Sequence, residues 1–258
     1  MSELPAMLDL WQESLHWQPN QSQLALFERL YQAILEGNQK QNLTRITESR
    51  EFWEKHLWDS LLGIMPFLRA DLALPELTIT DFWTQKPNQK LKIVDIGTGA
   101  GFPGMPIAIA NSDWSLTMVD STRKKVTFIE NAIAQLNLNN AKALVSRAES
   151  LGRDQFHREQ YDLALIRAVG QPNVCAEYVL PLVRVGGFAV LYRGLWAEAD
   201  TQSLAVAAKQ LGSKIAHISS TSTPLSLSTR NCIYLYKHSP LSERYPRAIG
   251  IPKQQPLS

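Results

Sequence analysis

Cysteine is scarce in this chain: Cys175 and Cys232 are the only two in 258 residues. Neither stands at metal-ligand spacing and both have apolar neighbours, so a disulfide framework, a thiolate metal centre and a cysteine nucleophile are not expected. They read as core fillers. Long apolar runs are missing as well, which argues against a membrane-spanning helix. Met1-Ser-Glu-Leu-Pro5 lacks the basic start and apolar core of a secretory leader. A soluble, cytoplasmic protein is expected. Nor does one sign of charge dominate, for the formal net charge is +2, and an apolar content of 45% argues against disorder.

That small charge is unevenly spread. Residues 1–92 hold 9 Lys/Arg against 12 Asp/Glu, whereas residues 93–258 hold 17 against 12. Basic residues gather at Arg123-Lys124-Lys125, at Arg147, Arg153 and Arg158, and in a tail with Arg244, Arg247 and Lys253. From charge alone, a phosphate-bearing partner and an ordinary solvated surface fit equally well.

What the chain does have is glycine at alternate positions. Lys92-Ile-Val-Asp95 reads as a buried strand, and Gly97, Gly99 and Gly101 then make a tight turn into a helix starting near Pro103. Without a Cβ such a turn accepts positive φ and lets a ligand lie against backbone, with helix N–H groups beyond it. Read from Gly99 the spacing is the dinucleotide fingerprint G-x-G-x-x-G; read from Asp95 it is D-x-G-x-G-x-G, which resembles the loop of S-adenosylmethionine (SAM) methyltransferases. The second reading is favoured. In the first, Pro103 falls where N–H groups should face a pyrophosphate, and Asp95 has no task.

The length accommodates one α/β domain and a smaller unit. Residues 1–70 read as a helical cap. Leu24, Phe27, Leu30, Tyr31 and Ile34 share one helix face, with Ser22 as N-cap and Gly37 as a stop. A helix from Ser49 to Leu62 carries an apolar stripe through Trp53, Leu57 and Leu61, and sets His56 and Asp59 close enough to touch. On spacing alone, a surface ion pair is the ordinary expectation for those two. Residues 71–91 read as a linker with room for a short helix, and residues 92–258 alternate strands with helices. The strands are Lys92–Asp95, Ser115–Asp120, Ala141–Ser146, Tyr161–Arg167, Gly186–Tyr192, Lys214–Ser219 and Asn231–Lys237; helices fall near Thr122–Leu136, Asn173–Arg184 and Glu198–Leu211. This is an α/β fold, Rossmann-like, with a mostly parallel seven-stranded sheet and helices on both faces. Ligands bind such sheets at the carboxyl ends of the strands, a rule that collects Gly97–Phe102, Asp120–Thr122, Ala148–Glu149, Arg167 and Arg193 on one rim. Asp120 ends the second strand about 20 residues past the loop, where an acid can take both ribose hydroxyls.

Asp95-Ile-Gly-Thr-Gly-Ala-Gly-Phe-Pro-Gly-Met-Pro106 resembles the signature of the RsmG (GidB) family, bacterial 16S ribosomal RNA guanine-N7 methyltransferases. Asn42-Leu-Thr-Arg-Ile46, His56-Leu-Trp-Asp-Ser60, Arg147-Ala-Glu149, Ile166-Arg-Ala168 and the tail from Arg244 agree with it. The resemblance implies a class I SAM-dependent methyltransferase with SAM as cofactor and no metal. Carried over position by position, it implies that Gly97, Gly99, Gly101 and Phe102 form the SAM loop, that Asp120, Ser121 and Thr122 hold the ribose end, and that Ala148 and Glu149 flank the adenine. Arg167 is expected to position the junction of SAM and base, and Asn42, His56 and Asp59 to shape a guanine pocket. Arg193 stands where the family more often has lysine; with Arg123, Lys124, Arg244 and Arg247 it is the expected RNA contact. The implied partner is 16S rRNA or the small ribosomal subunit, with no membrane, and the protein acting as a monomer.

Guanine N7 exposes a lone pair and has no proton to lose, so no general base is expected and catalysis should rest on positioning. Competing readings are a SAM methyltransferase acting on another RNA, a protein or a small molecule, a SAM-binding ribosome assembly factor without turnover, and a nicotinamide oxidoreductase. The first usually needs a base, an amide clamp or a catalytic Cys near the fourth strand, where Ile166-Arg-Ala-Val169 stands instead.

Overall fold

Alternate residues of the central strands are apolar on both sides, the pattern of a parallel sheet buried on both faces. The computed structural model describes residues 3–68 and 90–258 and contains that sheet. Its strands are β1 (Lys92–Ile96), β2 (Ser115–Asp120), β3 (Ala141–Val145), β4 (Tyr161–Arg167), β5 (Val183–Arg193), β6 (Ser213–Ser222) and β7 (Thr229–Lys237). They lie in the order β3-β2-β1-β4-β5-β7-β6. β1 to β5 pair in parallel, while β7 runs antiparallel between β5 and β6. The order reverses between β1 and β4, which opens a crevice at their carboxyl ends.

The N-terminal helices are α1 (Leu8–Leu15), α2 (Gln21–Asn38), α3 (Ser49–Phe52), α4 (Asp59–Leu62) and α5 (Met65–Leu68), with a π-helical turn over Trp53–Trp58 joining α3 to α4. Then come α6 (Gly104–Ala110), α7 (Arg123–Leu136), α8 (Ala148–Leu151), α9 (Pro172–Val179), α10 (Glu198–Gln210) and α11 (Ile251–Gln254). One apolar cluster joins the N-terminal helices to one face of the sheet: Trp11, Phe27, Phe52 and Trp53 share it with Ile93, Leu163, Phe188 and Cys232. Val94, Ala164, Cys175 and Ile233 belong to a second cluster on the other face, with α9, α10 and the C-terminal tail.

Several sequence expectations shift. The N-cap of α2 is Asn20, not Ser22: its side chain accepts from Gln23 N at 2.9 Å while Gln23 Oε1 accepts from Asn20 N at 2.8 Å, a reciprocal box. Gly37 does not end α2, which runs on to Asn38; a Cβ there would stand 2.5 Å from Leu43 and 2.6 Å from Phe128. α9 ends at Val179 rather than Arg184, because Pro181 cannot continue a helix and Val183 already pairs with Tyr161. Within residues 71–91, the part at 71–89 lies outside the described residues.

Candidate active site

Asp95 is the penultimate residue of β1 and is fully enclosed. Its Oδ2 accepts from Thr98 Oγ1 at 2.6 Å and from Gly104 N at 2.9 Å, so it ties the loop to the first amide of α6. That is the task of the acid. The donors that sequence reasoning offered to a ligand are thus partly taken inside the protein, since Met105 N bonds Gly101 O as well. Burial pushes the Asp95 carboxyl up to about 6, against the pull of those two donors.

Gly97, Gly99 and Gly101 all have positive φ. They do different things. A Cβ on Gly97 would meet Val169 Cγ2 at 2.7 Å, which is a close approach of protein to protein, whereas at Gly99 the nearest atom would be 4.0 Å away. Only the turn around Gly99 therefore leaves its backbone open. Gly99 N donates to Asp120 Oδ2 at 3.1 Å, and Thr122 N donates to Asp120 Oδ1 at 2.9 Å, fixing the carboxylate beside the turn. Asp120, Ser121, Ala148, Glu149, Val169 and Tyr178 help line a cavity of about 100 Å³ that also reaches Gly97. The Glu149 carboxylate is buried, and its Oε1 accepts from Gly250 N in the tail at 3.0 Å.

A second cavity, of about 400 Å³, opens on the other side of the loop after β4. Lys55, His56, Asp59, Arg167, Ala168, Tyr192, Arg193 and Arg230 help line it. Arg167 is its hub. The guanidinium donates to Lys55 O at 3.1 Å and to Asp59 Oδ2 at 2.9 Å, approaches His56 Nδ1 at 3.5 Å and lies 5.7 Å from the Phe102 ring centroid. Asp59 Oδ1 accepts from Arg230 Nε at 3.1 Å, so each carboxylate oxygen faces a guanidinium. His56 stacks on Phe102 with ring centroids 4.2 Å apart and planes at 8°.

Burial first, then the nearby Arg167 and Lys55 charges, hold the His56 imidazole down to about 3. It is neutral at physiological pH. With Arg167 donating toward Nδ1, the proton resides on Nε2, which bonds Thr44 Oγ1 at 2.9 Å. The expected surface ion pair of His56 and Asp59 is therefore not formed: both side chains are buried and both turn onto Arg167. The π turn explains the change, because widening the helix over Trp53–Trp58 alters which residues stack above one another.

Among the other sequence-derived candidates, Asn42 is exposed in the connection between α2 and α3, whose path is held by Asn38 accepting from Leu43 N and Thr44 N. Arg123 and Lys124 are exposed at the start of α7. Arg244 is exposed with its guanidinium 4.7 Å from the Tyr245 ring centroid. Arg193 braces the loop after β4, donating to Gly170 O at 2.8 Å and to Cys175 Sγ at 3.1 Å. Arg247 makes a bidentate pair with the buried Glu177, and Arg158 is spent on carbonyls of Leu241, Ser242 and Tyr245. Sequence reasoning missed Arg230, Lys55, Tyr178 and Tyr192. Thr44 had a signal, since it stands in the Asn42–Ile46 stretch; Arg230, at the start of a late strand, had none.

Chemically, the smaller cavity offers the carboxylates of Asp120 and Glu149 to hydroxyl or amine donors, and the larger one offers guanidinium groups and an imidazole face to a planar group. Both thiols are sealed away: Cys175 is pushed up to about 11 and Cys232 upward by burial. Among the described residues no cluster of His, Cys, Asp or Glu could hold a metal ion, and no helix is long and apolar enough to cross a membrane.

A family model described as rRNA small subunit methyltransferase G matches residues 23–228. The Ribosomal RNA small subunit methyltransferase G of Nostoc sp. (strain PCC 7120) is 52% identical over 254 residues, covering 98% of each chain. That of Trichodesmium erythraeum is 48% identical, covering 98% of this chain and 94% of its own. Among solved structures, a 16S rRNA (adenine(1408)-N(1))-methyltransferase from Catenulisporales acidiphilia aligns with a TM-score of 0.50 at 16% identity, covering 63% of this chain and 92% of that one. It bears on the fold alone.

Proposed function

The chain belongs to the rRNA small subunit methyltransferase G family, and we propose from its site that it transfers a methyl group from S-adenosylmethionine to N7 of one guanine in 16S ribosomal RNA. The observation that carries this reading is a pair of cavities lined by consecutive residues after β4, Val169 in the one beside Asp120 and Glu149, Ala168 in the one beside His56 and Arg167. The residues fit the donor. Gly99 leaves its backbone open where a Cβ would point, and Asp120 is buried with its carboxylate fixed at the edge of the smaller cavity. Asp120, Ser121 and Thr122 would take the ribose end, Ala148 and Glu149 the adenine, and the Gly97–Phe102 turn the amino-acid end.

The bound donor supplies a methyl group on a sulfonium, open to in-line attack. The residues of this chain supply orientation and exclusion of water. Arg167 is locked by Lys55 and Asp59, so it enters the reaction already in place. His56, backed by the Phe102 ring stacked on it, lines the larger cavity and is suited to meet a base lifted out of its stack. No group here is poised to take a proton: both nitrogens of His56 are engaged, and both oxygens of Asp59 face arginines. That agrees with an acceptor nitrogen that carries none.

Exposed Arg123, Lys124 and Arg244 are suited to phosphate contacts. An rRNA acceptor puts the enzyme in the cytoplasm, where subunits assemble. The test is transfer of labelled methyl from SAM to purified small subunits and to protein-free 16S RNA from a strain lacking this gene, with the modified base mapped. Label confined to one N7-methylguanosine is the expected result. Label elsewhere, or SAM binding without transfer to either substrate, would return the chain to another acceptor or to a silent assembly factor.

A further inference from the structure

The C-terminal segment carries basic residues that the sequence suggested for RNA, yet its best-defined contacts go elsewhere. Arg247 donates from Nε to Glu177 Oε1 at 2.9 Å and from Nη2 to Oε2 at 2.6 Å, and its backbone N reaches Glu177 Oε1 at 2.8 Å. Glu177 has no exposed surface. Three residues further on, Gly250 turns the chain at φ 87° and donates N–H to Glu149 Oε1 at 3.0 Å. Glu149 lines the smaller cavity, and so does Tyr178, which follows Glu177 on α9. Beyond the turn, Leu257 is buried and its carbonyl accepts from Asn173 Nδ2 at 2.6 Å. On the near side Arg158 holds the carbonyls of Leu241 and Tyr245.

Two buried carboxylates, one of them on the cavity wall, therefore take donors from the tail. A buried carboxylate that loses its donor must find water or move. For Glu149, moving means leaving the cavity wall. We propose that the segment around Arg247 and Gly250 is a positioning element of the donor site: Arg247, anchored on Glu177, sets the turn at Gly250, which fixes the Glu149 carboxylate for the adenine end of the donor. The proposal rests on the reading of Glu149 as a donor contact. Its logic is thermodynamic. If docking of the tail raises affinity for the donor, the donor must stabilise docking of the tail by the same factor.

The experiment uses the full-length protein and three variants, Arg247→Ala, Arg247→Lys and Glu149→Ala, titrated with SAM, with the KM for RNA measured in parallel. Arg247→Ala should weaken SAM binding about tenfold, leave the KM for RNA unchanged, and be partly restored by lysine, which keeps the charge but not the bidentate fork. Hydrogen exchange on the wild type supplies a check that needs no variant to fold: exchange at the Gly250 amide should slow when SAM is bound. If Glu149→Ala weakens SAM binding while Arg247→Ala does not, the tail has no such role and the donor reading survives. If Glu149→Ala leaves SAM affinity intact, the donor reading of that residue fails and the proposal falls with it. A raised KM for RNA at constant SAM affinity would make Arg247 an RNA contact. Gly250 exchange indifferent to SAM would also overturn the proposal.

Discussion

His56 and Arg167 divide the work at the cavity because one must stay neutral and the other cannot lose its charge. An imidazole held down to about 3 binds its proton in the unfolded chain, near pH 6.5, long before it does so in the folded one. Its stabilising effect is therefore complete above pH 6.5 and is lost as pH falls. Between pH 6.5 and 4.5 the loss should reach about 2–3 kcal/mol, and a urea titration across that range should show a flatter profile for His56→Gln, which cannot charge. Arg167→Ala should lower kcat/KM by about 100-fold, the scale of a misplaced reactant, and lysine should restore little because it cannot face Lys55 O, Asp59 and His56 at once. A kcat and both KM values unchanged in Arg167→Ala would end its positioning role. Both residues stood out in the sequence by their motif. What did not was their pairing, for His56 and Arg167 lie 111 residues apart and Arg230 joins Asp59 across 171.

At the level of elements, strand and helix alternation was legible because apolar runs and glycine turns mark it locally. The π turn at Trp53–Trp58 was not, since an extra residue in a helical turn changes hydrogen-bond partners without changing composition. Its other product is Glu54, buried on the N-terminal helices with Oε1 accepting from Leu225 N at 2.5 Å and Ser226 N at 2.9 Å. One carboxylate thus clamps the turn between β6 and β7. Glu54→Ala should destabilise the protein by about 2–3 kcal/mol, the effect of leaving buried amides without an acceptor, seen as a lower urea midpoint at similar slope. Asn20→Ala, which removes the box at the start of α2, should have a smaller effect of about 1 kcal/mol.

Across the whole molecule, the N-terminal helices and one face of the sheet share a single apolar cluster, and the tail closes the other face. We expect residues 3–68 to unfold together with the sheet, as one transition by fluorescence and by circular dichroism. Two separated transitions would show that the helical cap folds independently. RNA engagement should weaken steeply with salt, and replacing Arg123 and Lys124 together should reduce the slope of log affinity against log salt by about 2, one per phosphate contact. The two cysteines give this architecture a further property. Cys232 lies in the cluster under the helices and Cys175 in the cluster under the tail. Native alkylation by iodoacetamide should be slow at both, and the rate at each thiol then times the parting of one side of the sheet, a pair of internal clocks already built into the chain.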